Sequence, residues 1–225
     1  MKDLLEKILS YLPAYIPDLV SIFSGPKRFV SERNKGNEGD LIKAFTFLGV
    51  SMSIFFILQA PFHMVGREFL SDAGAHGILY LLFIVVFSAI VWLSWRIVGG
   101  KAPYQSFLIT CSYYMGVLSV GFAAGALCFI GILRTFYPES YSWFVKFLAA
   151  PSLWNAYDPR FSGGILVASA GFLTLAVPTL VWGFIGWGAY RELNQLPRFR
   201  SGAALFLTIL FSLPVACLLL IMAVG

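Results

Sequence analysis

Charge is what this chain has least of. Asp, Glu, Lys and Arg together make up 12% of its 225 residues, whereas a soluble domain carries about 25% because its surface must be wetted. Half the usual charge cannot cover a water-facing surface, which excludes an ordinary soluble domain. The sixteen basic residues outnumber the eleven acidic ones, but they fall in short loops between apolar runs and not on one soluble face. Nucleic acid is therefore not an expected partner. Histidine is scarcer still, with only His63 and His76. Neither an HExxH zinc motif nor a GxSxG nucleophile motif occurs. The three cysteines, Cys111, Cys128 and Cys217, lie inside apolar runs without CxxC spacing. That excludes a disulfide framework or a structural zinc site and leaves them as small packing residues. No cofactor and no metal is expected. No cleavable signal peptide is expected in this stretch either, because Glu6, Lys7, Pro13, Pro17 and Asp18 interrupt the first apolar run.

What fills the chain is hydrocarbon. Apolar residues account for 59% of it, and the mean hydropathy is +0.80. Crossing a bilayer takes about 20 apolar residues at about 1.5 Å each. Five runs meet that requirement: 45–65, 77–95, 104–133, 163–190 and 202–224. With no water to satisfy their backbones, such runs must be helical. The expected fold is an all-α integral membrane protein of five transmembrane helices, occupying residues 45–225. The third and fourth runs exceed the minimum, so tilt or extension into the interface is expected.

Residues 1–44 read as a cytoplasmic, interfacial segment. Leu4, Leu5, Ile8, Leu9, Leu12, Tyr15, Ile16, Leu19, Val20 and Phe23 recur at helical spacing, with Lys2, Asp3, Glu6, Lys7 and Ser10 opposite in the first turns. This pattern predicts an amphipathic helix lying on the membrane, broken near Pro13 and Pro17; an arm packing on a partner is the alternative. A second interfacial segment covers 135–162. It holds nine aromatics in 28 positions, from Phe136 and Tyr137 to Tyr157 and Phe161. Pro138, Pro151 and Pro159 forbid one continuous helix there. An aromatic belt at headgroup level accounts for it better than a binding lid.

Basic residues set the orientation. Lys2, Lys7, Lys27, Arg28, Arg33, Lys35, Lys43, Arg96, Lys101, Arg191, Arg198 and Arg200 fall on one side of the five crossings, and Arg67, Arg134, Lys146 and Arg160 on the other. Positive loops stay in the cytoplasm, which puts the N-terminus inside and the C-terminus on the opposite side. In a prokaryote the membrane would be the cytoplasmic one.

Chemistry at membrane depth is missing. None of the last four runs contains Asp, Glu, Lys or Arg within its apolar stretch, and ion-coupled transporters place such groups there. The cluster His63, Arg67, Glu68, Asp72 and His76 between the first two runs reads as a solvated loop, with a metal or substrate site as the weaker alternative. Small residues are the positive signal. The third run carries Ser112, Gly116, Gly121 and Gly125, and the fourth Gly163, Gly164, Gly171, Gly183, Gly186 and Gly188. Lipid gives helices little hydrophobic reason to associate, so close backbone approach at small residues holds them. These two runs are the expected packed centre. Pro61, Pro178 and Pro214 are expected kink sites.

One arrangement in the chain is familiar. Phe23-Ser24-Gly25-Pro26 precedes the spans, the second cytoplasmic loop is Val98-Gly99-Gly100-Lys101, Phe107 and Tyr113-Tyr114 follow, and the fourth run ends on Trp182-Gly183-x-x-Gly186. Over about residues 20–220 the chain resembles the Yip family of Rab-interacting-type membrane proteins, in particular its short prokaryotic-type members. The resemblance implies five spans, a cytosolic N-terminus and a non-enzymatic role in membrane organisation through protein contacts, with Gly25, Pro26, Gly99 and Gly100 as interaction residues. A small transporter, channel or lipid-handling protein is the alternative, and a central cavity lined by Gln59, Thr110, Ser112, Thr174 and Thr179 would mark it. A membrane enzyme using the histidine cluster comes third. The bilayer is the expected partner, together with protein partners or further copies of the chain.

Overall fold

A computed structural model describes residues 2–63, 69–149 and 162–224, with side chains over 13–58, 77–147 and 162–214. Residues 64–68, the side chains of Gln59, His63, His76 and Cys217, and residues 150–161 of the aromatic segment lie outside that description. All regular structure among the described residues is helical, in the order α1 (Lys2–Ser24), α2 (Pro26–Arg33), α3 (Glu38–His63), α4 (Phe69–Ile97), α5 (Tyr104–Phe136), α6 (Pro138–Ala149), α7 (Ser162–Asn194) and α8 (Arg198–Val224). The five apolar runs lie in α3, α4, α5, α7 and α8.

Among the described residues, four helices are long and apolar enough to cross a membrane: Glu38–Leu58 within α3, Gly77–Ile97 within α4, and all of α5 and α7. At about 1.5 Å per residue, the 33 residues of α5 and of α7 each reach about 50 Å, well beyond a hydrocarbon core of about 30 Å. α8 continues for 27 residues through Pro214, as α7 does through Pro178.

Local chemistry sets the ends. Asn37 Oδ1 accepts the Asp40 N–H at 2.8 Å, and Asp40 Oδ2 accepts the Lys35 N–H at 2.8 Å. Together they cap the start of α3. Tyr137 closes α5 by donating its N–H to the Leu133 carbonyl, and Pro138 opens α6 at a position where no backbone donor is needed. The expected break in the N-terminal helix is not seen. α1 runs unbroken through Pro13 and Pro17, and both rings sit on its exposed side. The opposite side is held by packing, which offsets the lost N–H donors.

α5 is the axis of the bundle, packed along α3 on one flank and α7 on the other. Glycine makes this possible. A Cβ on Gly116 would stand 2.8 Å from both the Phe47 ring and Ser51 Oγ, and one on Gly121 would stand 2.5 Å from Thr179 Oγ1. Neither helix could approach as closely with a side chain there. Gly163, by contrast, meets nothing within 4 Å, so the glycines expected to form the centre do not all serve it. Hydroxyls within the helices turn back on their own backbone: Ser53, Ser94, Ser112, Ser119, Thr179, Thr208 and Ser212 each donate to the carbonyl four residues earlier.

Candidate functional site

The features that could do work gather at one end of the bundle, where α3, α5 and α8 begin and α4 and α7 finish. Arg33, Lys35, Arg96, Lys101, Arg191, Arg198 and Arg200 lie in these turns, and we call it the basic end.

The hairpin of α1 and α2 caps it. Buried Tyr15 shares a 2.9 Å hydrogen bond with Ser51 Oγ of α3 and packs its ring on Phe47. Burial raises the Tyr15 phenol above its ordinary value, and the bond to Ser51 partly offsets that. Arg33 Nη2 donates to Asp18 Oδ1 at 2.7 Å, with its guanidinium over the Phe29 ring. Trp182 of α7 donates its indole N–H to the Phe23 carbonyl at 3.1 Å while the two rings stack. On the outward side, Arg28 pairs with Glu32 at 2.8 Å, and this bond raises the guanidinium above its ordinary value. Ile16, Val20 and Phe23 form an exposed apolar stripe along α1.

Two asparagines tie the turns together. Asn34, at the end of α2, donates to the Ser106 carbonyl at 2.7 Å and to Thr110 Oγ1 at 2.9 Å. Asn194, at the end of α7, accepts the Ala102 N–H at 3.1 Å and donates to the Tyr190 carbonyl at 2.8 Å. The Gly99-Gly100 turn depends on the second of these. Gly99 has φ +97°, a conformation that side chains disfavour. A Cβ on Gly100 would lie 2.5 Å from Asn194 Oδ1 and 2.8 Å from the Trp95 carbonyl.

A cleft of about 420 Å³ opens between α4, α5, α7 and α8. Phe87 and Val91 line it from α4, Tyr114 and Leu118 from α5, Phe184 and Trp187 from α7, and Leu205 and Ile209 from α8. α7 and α8 hardly touch along their length, and this leaves the cleft open. Its few polar groups are occupied: Tyr114 donates its hydroxyl to the Gly186 carbonyl at 2.8 Å, and Thr208 and Ser212 bond within α8. Trp187 donates to the Ser201 carbonyl at 3.3 Å and packs on Trp95 at 5.8 Å, which closes the cleft toward the basic end.

No known family, characterised protein or solved structure matches the chain. The site is therefore read from its geometry alone.

The residues singled out in the sequence are dispersed. Gly25 and Pro26 form the turn between α1 and α2, with Pro26 buried. Gly99 and Gly100 lie in the α4–α5 turn, held against Asn194. Thr110 is bonded to Asn34, Ser112 to its own helix, and Thr179 packs on Gly121. Thr174 is exposed and bonds the Gly171 carbonyl. None of these four lines the cleft. Among the described residues, no group of three His, Cys, Asp or Glu could hold a metal ion. Sequence reasoning missed Asn34, Asn194 and the Trp95–Trp187 pair. The signal available was an amide in the short polar segment after each of these helices, Asn34 before Lys35-Gly36 and Asn194 before Gln195, next to helices otherwise short of polar side chains.

Proposed function

We propose that the chain is a non-enzymatic, five-span integral membrane protein of Yip-like type that works by holding other components at the membrane. α8 is the fifth crossing in this reading, the basic end is cytoplasmic, and α1 lies in the interface with Ile16, Val20 and Phe23 turned to lipid. The observation that carries it is the α1–α2 hairpin, fixed to the spans by Asp18–Arg33, Tyr15–Ser51 and Trp182–Phe23. Such a hairpin offers a preformed charged surface to a partner. Direct contact of Gly116 with Phe47 and Gly121 with Thr179 closes the seams on both flanks of α5, which weighs against a pathway through the centre.

Two measurements test this reading on the whole chain. Reporters on the two termini should fall on opposite faces of the membrane. Vesicles containing the purified protein should pass protons and small ions no faster than empty vesicles. Termini on one face would overturn the five-span topology, and protein-dependent flux would replace the holding role with transport.

A further inference from the structure

The cleft beside α8 has a chemistry that the proposed role does not use. Its wall is aliphatic and aromatic, and its hydroxyls are already bonded, so it offers water no partners. It lies along helices whose outer faces are strongly apolar: Ile185, Phe206 and Leu210 are all exposed on the flanking α7 and α8. What enters such a space is hydrocarbon. Hydrocarbon alone gains little by leaving a bilayer for an apolar wall, so a resident molecule must be held by something else.

That second hold lies at the closed end. Trp187 bonds the carbonyl of Ser201, the neighbour of Arg200, and packs on Trp95, the neighbour of Arg96. The Arg200 guanidinium lies over the α4–α5 turn, 3.2 Å from where a Cβ of Gly99 would stand. Arg96 lies over the Trp92 ring and reaches the Gly100 carbonyl at 3.4 Å. The ion pairs among the described residues are Arg28–Glu32 and Arg33–Asp18, so neither Arg96 nor Arg200 is neutralised by a carboxylate there. Two guanidinium groups therefore meet at the α4–α5 turn, at the end of the bundle where the apolar slot stops on Trp187. Guanidinium binds phosphate in a planar, two-point manner, and basic pockets between membrane helices take anionic headgroups.

We infer that the cleft is a binding site for one anionic glycerophospholipid, with an acyl chain along Leu118, Phe184 and Ile209 and the phosphate at Arg96 and Arg200. The inference rests on the chain being a membrane protein and is independent of its terminal topology and of any Yip-like role. A protein that conducts ions or has both termini on one face could still carry this lipid.

The test is native mass spectrometry of the full chain in detergent, after incubation with phosphatidylglycerol or phosphatidylcholine. Phosphatidylglycerol should remain as a single adduct, favoured by about five-fold for each arginine engaged. R96Q with R200Q should remove that preference, and Gly183→Leu, which projects into the cleft, should reduce adducts of both lipids. Equal retention of the two lipids in the wild type overturns the headgroup assignment. An unchanged preference in the double arginine variant does the same. Full retention in folded Gly183→Leu overturns the location. If that variant does not fold, the arginine pair, both exposed, decides the outcome alone.

Discussion

The Arg33 guanidinium meets the Asp18 carboxylate at 2.7 Å across the α1–α2 hairpin, with the aspartate side chain only 9% exposed and the arginine 44% exposed. The partners are unequally buried, so removing one or the other has unequal effects. Arg33→Gln takes the guanidinium away from a buried carboxylate, while Asp18→Asn leaves an arginine that water can reach. Loss of a buried partner costs about 3–5 kcal/mol. Solvent screening at Arg33 reduces the expected loss to about 1–3 kcal/mol for Arg33→Gln, with less for Asp18→Asn. Thermal unfolding in detergent checks the order. Limited proteolysis in the α1–α2 turn should follow it.

The Gly100 turn permits a sharper comparison. Gly100→Ala places a methyl against Asn194 Oδ1 and the Trp95 carbonyl, which breaks the bond to Ala102. A loss of about 1–3 kcal/mol is expected. Gly131→Ala is the control, because nothing lies within 4 Å of its Cβ position, and a helical Gly→Ala change there is expected to gain about 0.5–1 kcal/mol. Melting temperatures moving in the same direction would show that the close contact at Gly100 has no energetic weight.

Tyr15 gives the docked helix an alkaline limit. Its phenol is raised above 10.0 by burial, so the folded state holds the proton more tightly than the unfolded one. The stabilisation is fully present below the unfolded value and is lost as pH rises through the raised folded value. The difference absorbance between wild type and Tyr15→Phe should report a phenol titrating above the usual tyrosine range of about 10. α1 of the variant should stay docked to higher pH. A Tyr15 titration at the ordinary value would contradict its burial.

Asn34 joins α2 to the start of α5 by two bonds made within a buried pocket. Asn34→Leu removes both and leaves the Ser106 carbonyl with the Thr110 hydroxyl as its side-chain donor, at an expected cost of about 1–3 kcal/mol. Faster amide exchange at the start of α3 and α5, with the exposed part of α7 unchanged, would mark the effect as local.

The helices could be read in the sequence because a membrane leaves few choices: runs such as 104–133 and 163–190 must satisfy their own backbones. Gly116 and Gly121 were likewise legible as contact points, since lipid rewards little else. Other features depend on pairings between distant residues. Nothing near Tyr15 indicates Ser51, nothing near Trp182 indicates Phe23, and the proline spacing suggested a break that packing suppresses. The cleft was invisible for a related reason. It arises where α8 stands away from α7, and an apolar residue facing a gap looks the same in sequence as one facing lipid. Thr110, expected in a cavity wall, proved to be one end of a bond to Asn34.

The back-bonded hydroxyls of the helices have a consequence for proton movement. Hopping along a chain of hydroxyls requires each to pass its hydrogen to the next and then reorient. Ser112 and Ser119 on α5, Thr179 on α7 and Thr208 and Ser212 on α8 each commit that hydrogen to a carbonyl of their own helix. Where a further hydroxyl joins them, as Tyr80 does at Ser119, both end on the same Met115 carbonyl, so among the described residues these groups form short local loops and supply no continuous run of rungs for a relay.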